Sequence, residues 1–287
     1  MKSRGEKIFD VLNIILMILL SALFILPILL VVFSSFTASR ELTLNGYSLI
    51  IRKFSFEYYK AIFVSENHQF ITSVGNSFFI AVITTSIMVV TTSLAAFVLS
   101  RPKLQFKKII TFFFIIPMLF AGGTIPYYLV VKDLGLYDTL WAIIIPSGVS
   151  AWYILLVKNF FVGVPNSIVE SAELDGANNV QILFKIFLPV SFPIIATVIL
   201  YTVVGVWNDW YQASIFLESE NLWPVQTFIR NLQDSDGFLE KYFGKTNLNY
   251  EGIRTAAVIL SLLPILIAYP FMQRFFIKGT MIGSVKE

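Results

Sequence analysis

Cysteine is absent from the 287 residues, which excludes disulfide frameworks, thiolate metal sites and cysteine nucleophiles together. Histidine occurs once, as His68, in a polar stretch where it reads as a solvated side chain rather than a ligand. Charge is scarce: 14% of the residues are Asp, Glu, Lys or Arg, against about 25% in an ordinary soluble domain. The net charge of +3 is too small to argue for a nucleic-acid partner, and the basic residues sit at segment ends. No residues have the spacing of a catalytic nucleophile, a metal site or a carboxylate pair of assured proximity. A phosphate-loop look-alike, Gly244-Lys245-Thr246, has Leu239 where the loop needs its first glycine, so the chain lacks its own nucleotide site. Any energy drawn from ATP has to come from a separate subunit. The expectation is a chain that holds no cofactor of its own and is not an enzyme.

What the chain has is apolar length. Residues of the apolar classes make up 56%, and the mean hydropathy is +0.76. They gather in six runs, approximately 8–36, 70–100, 106–131, 140–161, 190–217 and 255–277. Each reaches the roughly 20 residues that cross a bilayer. Helix is the structure that satisfies every backbone group inside hydrocarbon without a sheet edge. The expectation is an all-α, multi-pass integral membrane protein, with residues 1–287 as a single transmembrane domain. The first run follows Lys2, Arg4 and Lys7 and imitates a signal peptide, but it exceeds the usual 7–15-residue signal core and reads as a retained span. Basic residues mark the cytoplasmic side. They cluster at the N-terminus, at Arg101, Lys103, Lys107 and Lys108, and at Arg274, Lys278 and Lys286. Six spans put all three clusters, and both termini, in the cytoplasm. Two longer loops, about Thr37–Gln69 and Glu218–Arg254, then face outward and mix aromatic with charged residues, as a segment that folds on a partner does.

One polar stretch interrupts the apolar pattern, "ESAELDGANNVQILFKIFLPV" from Glu170 to Val190. Pro165 stops the fourth span, and Ser167-Ile-Val-Glu170 reads as a capping box opening a short helix. Ile168 and Ala172 share one face of it; Glu170, Glu173 and Ala177 share another. Gly176 stands where a left-handed residue ends that helix. A second helix is expected from about Asn179 to Phe187, and Pro189 permits a sharp entry into the fifth span. The product is a stiff elbow over 166–189, on the cytoplasmic side.

The spacing Glu170-x-Ala172-x3-Gly176-x9-Ile186-x-Leu188-Pro189 resembles the EAA motif of permease subunits of ATP-binding-cassette importers. Six such matches arise by chance in about one start in ten million. Ser171 replaces the commoner alanine, and Asp175 completes the set. "GGTIPYYLVVKDLGLYDTLWAIIIP" (Gly122–Pro146), "WNDWYQA" (Trp207–Ala213) and "YPFMQRFFIKGTMIGSVKE" (Tyr269–Glu287) are similar to corresponding regions of carbohydrate-importer permeases. They suggest the maltose-permease-like group, in the branch serving complex oligosaccharides. The resemblance implies the type I importer permease fold of six transmembrane helices, with the elbow as a coupling helix seated in an ATPase subunit. It further implies a second, different permease, two ATPase subunits holding ATP and Mg, an extracellular sugar-binding protein, a carbohydrate cargo and a bacterial cytoplasmic membrane.

Polar groups recur inside the fifth run. Gly205, Asn208, Asp209 and Gln212 fall at i, i+3, i+4 and i+7, one continuous face of a helix. Trp207, Trp210 and Tyr211 stand beside them, and such rings suit sugar faces and membrane interfaces alike. Gly205, Trp207, Asn208, Asp209 and Gln212 are therefore candidates to line a translocation path; the alternative is a structural hydrogen bond between helices. The rival function, an ion-coupled secondary transporter of a small solute, requires mid-membrane charges and paired broken spans, and leaves the motif spacing unexplained.

Overall fold

The structure, a computed structural model, describes residues 4–64, 68–120, 122–244 and 247–283, with side chains from residue 5 to residue 270. Lys245, Thr246, Lys2 and Lys286 lie outside the described residues, as do the side chains of Arg4, Arg274 and Lys278. Helices supply the regular structure: α1 (Arg4–Ser35), α2 (Ser39–Asn45), α3 (Glu57–Val64), α4 (Gln69–Ser100), α5 (Lys107–Leu119), α6 (Thr124–Asp133), α7 (Trp141–Ser147) and α8 (Ala151–Val162) come first. There follow α9 (Asn166–Leu174), α10 (Asn179–Ile182), a π turn (Leu183–Phe187), α11 (Leu188–Val190), α12 (Phe192–Asn208) and α13 (Tyr211–Phe216). A 3-10 turn (Glu220–Leu222), α14 (Val225–Asp234), α15 (Asp236–Phe243) and α16 (Tyr250–Gly283) complete the chain. The sole β pairing among the described residues is an isolated bridge, Thr37 to Phe54.

Among the described residues, four helical stretches are long and apolar enough to cross a membrane alone: Gly5–Ser35, Gln69–Ser100, Trp141–Val162 and Tyr250–Pro270. The third and fifth expected spans are not continuous helices. The third is divided into α5 and α6, and the fifth run into α12 and α13. Counting two bent pairs as single spans, α5 with α6 and Asn179–Val190 with α12, raises the number to as many as six. A break also falls inside Trp141–Val162, between α7 and α8. There Ser150 accepts from the Tyr153 backbone N–H at 3.5 Å, and the Thr91 hydroxyl donates to the Gly148 carbonyl at 2.9 Å. These bonds satisfy backbone groups that hydrocarbon leaves unpaired. Gly148 permits the approach, because a Cβ there would stand 2.6 Å from Ile87 Cγ2.

The chain forms two compact units. The first comprises Met1–Ile71 and Ile229–Leu263. Its α1 is apolar all round with none of its span buried, the pattern of a helix meant for lipid or another chain. The two expected outer loops contain α2, α3, α14 and α15. The Asn249 N–H donates to Ser39 Oγ at 2.7 Å, and Asn249 Nδ2 donates to Thr43 at 2.9 Å. Arg254 donates to the Leu232 carbonyl at 2.8 Å and to Asp236 at 2.6 Å. The Tyr47 hydroxyl donates to Glu251 at 2.7 Å. Burial, and then that bond to an anion, push the Tyr47 phenol up to about 12.

The second unit comprises Thr72–Phe228 and Pro264–Glu287. One apolar cluster, including Phe97, Phe161, Val169, Ile182, Phe187 and Val198, joins α4, α8 and α12 to the polar stretch. A second cluster joins Ile80, Ile143, Ile144, Ala213 and Leu217. Beside it Asp138, at φ +55°, accepts from the backbone N–H groups of Glu218 and Ser219 at 2.9 and 2.8 Å. The Ser219 hydroxyl donates to its other oxygen at 2.5 Å. These bonds, led by the Ser219 hydroxyl, hold the Asp138 carboxyl below the usual range. The α6–α7 connection is thereby pinned to the segment after α13.

Candidate functional site

The expected elbow is present, built differently in detail. Helix α8 ends at Val162 with Gly163 as its C-cap, so the fourth span stops before Pro165. Pro165 is the N-cap of α9 and no side chain caps that helix. The Ser167–Glu170 capping box does not form: α9 begins at Asn166, which puts Ser167 inside the first turn, past the position that a capping hydroxyl must occupy. A capping box exists further on, at Asn178 and Gln181. Asn178 Oδ1 accepts from the Gln181 N–H and Gln181 Oε1 from the Asn178 N–H, both at 2.9 Å.

Gly176 takes φ +81°, the left-handed conformation expected of it. The Ala177 N–H then reaches the Ala172 carbonyl at 2.9 Å, and the Gly176 N–H reaches that of Glu173 at 3.1 Å. The second limb is α-helical only through Ile182 before widening into the π turn. Pro189 follows that turn. It has no N–H for a carbonyl four residues back, and its ring crowds that carbonyl; the wider turn takes up this misfit. The limb meets α12 at 81°, with the corner at Ser191.

The motif residues divide into two sets. Ala172, Ile186 and Leu188 are half-buried against the apolar cluster, with Val169 fully buried beside them. Val169 and Ala172, rather than Ile168 and Ala172, form the inward face of α9; Ile168 is exposed. Glu170, Ser171, Asp175, Gly176 and Pro189 are exposed. At the tip Leu174 is 88% exposed, an apolar side chain standing clear of a polar bend. A hollow between the limbs is lined by Ala172, Asp175, Gly176, Gln181, Lys185 and Ile186. Glu173 pairs with Arg101, just past the end of α4. The charge pattern marks Arg101 only as a sign of orientation, and nothing in local spacing shows this partner.

The polar residues of the fifth run do not share one helical face. Helix α12 ends at Asn208, and Asp209 is extended at φ −79°, ψ 105°. Its carboxylate accepts from the Gln212 N–H at 3.1 Å and so caps the start of α13. Gly205 and Asn208 are exposed, and Asp209 and Gln212 half-buried. Asn208 Nδ2 donates to the Val204 carbonyl at 2.9 Å. Tyr127, unmarked by the sequence, donates to Gln212 Oε1 at 3.3 Å. Trp207 is withdrawn from this group: it is 3% exposed, with its ring edge-on to Phe78 at 5.5 Å. Together with Pro264 and Ile265 these two rings line an apolar pocket. No cluster of three or more metal-ligating side chains exists among the described residues.

Comparison with known proteins agrees with this architecture. The family described as "Binding-protein-dependent transport system inner membrane component" matches residues 88–281. Protein LplC of Bacillus subtilis (strain 168) is 36% identical over 99% of this chain and 97% of its own length. The polygalacturonan/rhamnogalacturonan transport system permease protein YtcP of the same organism is 35% identical over 98% of this chain and 99% of its own. A chain in the crystal structure of a bacterial ABC transporter involved in the import of the acidic polysaccharide alginate superimposes with a TM-score of 0.87 at 27% identity, covering 96% of this chain and 99% of that one. A helical membrane chain matched from end to end by such proteins belongs to the family of binding-protein-dependent transport system inner membrane components.

Proposed function

We propose that this chain is one permease subunit of an ATP-driven importer, that its cargo is an oligosaccharide, and that residues 166–189 couple it to ATP hydrolysis. Membership of the family carries the first part, and leaves a lone ion-coupled transporter without support. The named cargoes of the relatives, polygalacturonan, rhamnogalacturonan and alginate, support the second. The observation carrying the third is the tip of the elbow, where exposed Leu174 projects from a rigid bend whose other face is buried in the span cluster. An apolar knob on a stiff polar mount suits a cleft in a soluble partner, and its packed inner face moves the spans with it.

In this reading the single permease domain crosses the membrane six times, with both termini and the elbow in the cytoplasm. A second, different permease completes the pathway, two ATPase subunits hold the ATP and Mg, and an extracellular sugar-binding protein delivers the cargo. ATP closes the ATPase pair, the elbows move with it, and the cavity opens toward the binding protein. The orientation has a direct test because the chain has no cysteine. Gln105 and Gln233 are both exposed. Gln105→Cys should resist an impermeant thiol reagent on intact cells and Gln233→Cys should react. The reverse pattern overturns the orientation and, with it, the cytoplasmic elbow.

The break at Asp209 supports a path beside α12, since irregular backbone at membrane depth is tolerated where it is buried in protein or lines a cavity. The 17 residues of α12 rise about 25 Å, which puts Asn208 and Asp209 near the outer end of the span. Asp209→Asn keeps an oxygen for the Gln212 N–H and removes only the charge; Asn208→Ala removes a sugar-facing amide. Uptake of several defined oligosaccharides should fall and the preference among them change, most for Asp209→Asn, with chain abundance near normal. A polar site discriminates through the bonds it satisfies. Unchanged uptake and preference place the sugar elsewhere; equal loss for every sugar together with loss of the folded complex makes the group structural.

A further inference from the structure

We propose that Arg101 is a positioning residue, the strut through which α4 follows the elbow during transport. This rests on the coupling role proposed for residues 166–189. Both limbs of the elbow converge on the last turn of α4. From the first limb Glu173 pairs with the Arg101 guanidinium, which also lies over the Phe97 ring at 5.4 Å. From the second limb Phe187, in the π turn, meets the same Phe97 edge-on at 5.0 Å. Phe187 in turn meets Phe161, near the end of α8, at 5.1 Å. All three rings are buried.

The backbone carrying Arg101 is itself held. Lys107 Nζ donates to the carbonyls of Ser100 and Arg101, both at 3.3 Å, closing the end of α4 with a cation as its dipole favours. Arginine suits the position better than lysine, because its flat guanidinium stacks on a ring and forks to a carboxylate at once. The ion pair is partly exposed, with side-chain accessibilities of 23% for Arg101 and 45% for Glu173. Pairs in such surroundings contribute little to stability. Its loss should leave the fold intact while freeing the first limb from α4.

The test uses the assembled importer in its membrane with a single reporter, Val98→Cys, exposed in the last turn of α4. Because the chain has no other thiol, its labelling rate reports α4 alone. ATP with vanadate should change that rate in the otherwise unaltered chain. In Arg101→Gln and in Glu173→Gln the ATP-dependent change should fall about tenfold, while in Arg101→Gln the ATPase subunits stay bound and hydrolyse ATP within about twofold of normal. The double variant should be no worse than either single one, since both remove the same contact. Arg101→Lys, which keeps the charge and loses the flat stack, should recover part of the change. The strut is overturned by an unaltered labelling change in Arg101→Gln, by no change in the parent chain, by losses that multiply in the double variant, or by loss of the folded complex. Gly176→Asp, run alongside, keeps the two ideas apart. Normal transport by that variant removes the coupling reading; an inactive Gly176→Asp beside a normal Arg101→Gln removes the strut alone.

Discussion

Gly176→Asp should abolish transport while the chain still inserts and accumulates. At φ +81° a Cβ is disfavoured, by roughly 1–2 kcal/mol in a left-handed conformation. Nothing among the described residues stands within 4 Å of a Cβ built there, so folding meets that backbone cost and no collision. Aspartate visits this conformation more readily than alanine. Gly176→Ala therefore carries at least the same backbone cost, and separates it from the effect of a carboxylate at the bend. Gly176→Ala should retain most of its uptake, and Gly176→Asp should lose nearly all of it and release the ATPase subunits on purification. Equal losses in the two variants would assign the effect to the backbone. Normal uptake by Gly176→Asp would show that the bend contacts nothing that matters.

Gly252→Ala should be the more damaging change for the protein itself. Gly252 lies in the first turn of α16, where alanine is intrinsically the better helix former by about 1 kcal/mol. Packing reverses that preference. A Cβ at Gly252 would stand 1.9, 2.3 and 2.4 Å from Cζ, Cε2 and Cε1 of Tyr58. Tyr58 is fully buried, so its ring has no solvent to turn into. Overpacking of this kind costs about 1–3 kcal/mol and occasionally more. The displaced ring also disturbs the turn on which Glu251 and Arg254 meet. Abundance in the membrane and the apparent melting temperature in detergent should both drop, with transport per folded molecule little changed. Tyr58→Phe should not rescue it, since the ring carbons remain. Gly252→Ala with Tyr58→Ala should lose less than the sum of the two single losses, as neighbours sharing one volume do. A melting temperature equal to that of the parent would mean that the two residues are not in close contact.

The membrane class, the apolar runs and the elbow were legible from the sequence because each depends on local pattern. A run of 20 apolar residues has few ways to avoid hydrocarbon. A glycine at the end of a short polar helix takes the left-handed turn since it alone does so without a Cβ. The motif residues from Glu170 to Pro189 were found by spacing along a single stretch, and the carbohydrate relatives bear out the reading of the chain as an importer permease. Local pattern misplaced the cap, because Ser167 and Asn178 both have a suitable side chain and a partner three residues on. Only the folded chain shows that α9, with Pro165 as its N-cap, starts too early for Ser167 to cap it.

Tertiary structure decided what periodicity cannot express. Gly205, Asn208, Asp209 and Gln212 satisfy a helical repeat on paper, yet the repeat presumes an unbroken helix, and Asp209 leaves it to cap α13. Trp207 shares that stretch but finds Phe78, 129 positions earlier (207 − 78), and turns away from the polar group. Arg101 looks like any other loop cation until Glu173 and Phe97 close around it. Gly252 and Tyr58 carry no mark of each other, because a contact across 194 positions (252 − 58) is set by how helices pack and not by either residue's neighbours. The sequence by itself determined the solvent, the helices and the bend; packing decided which side chains meet.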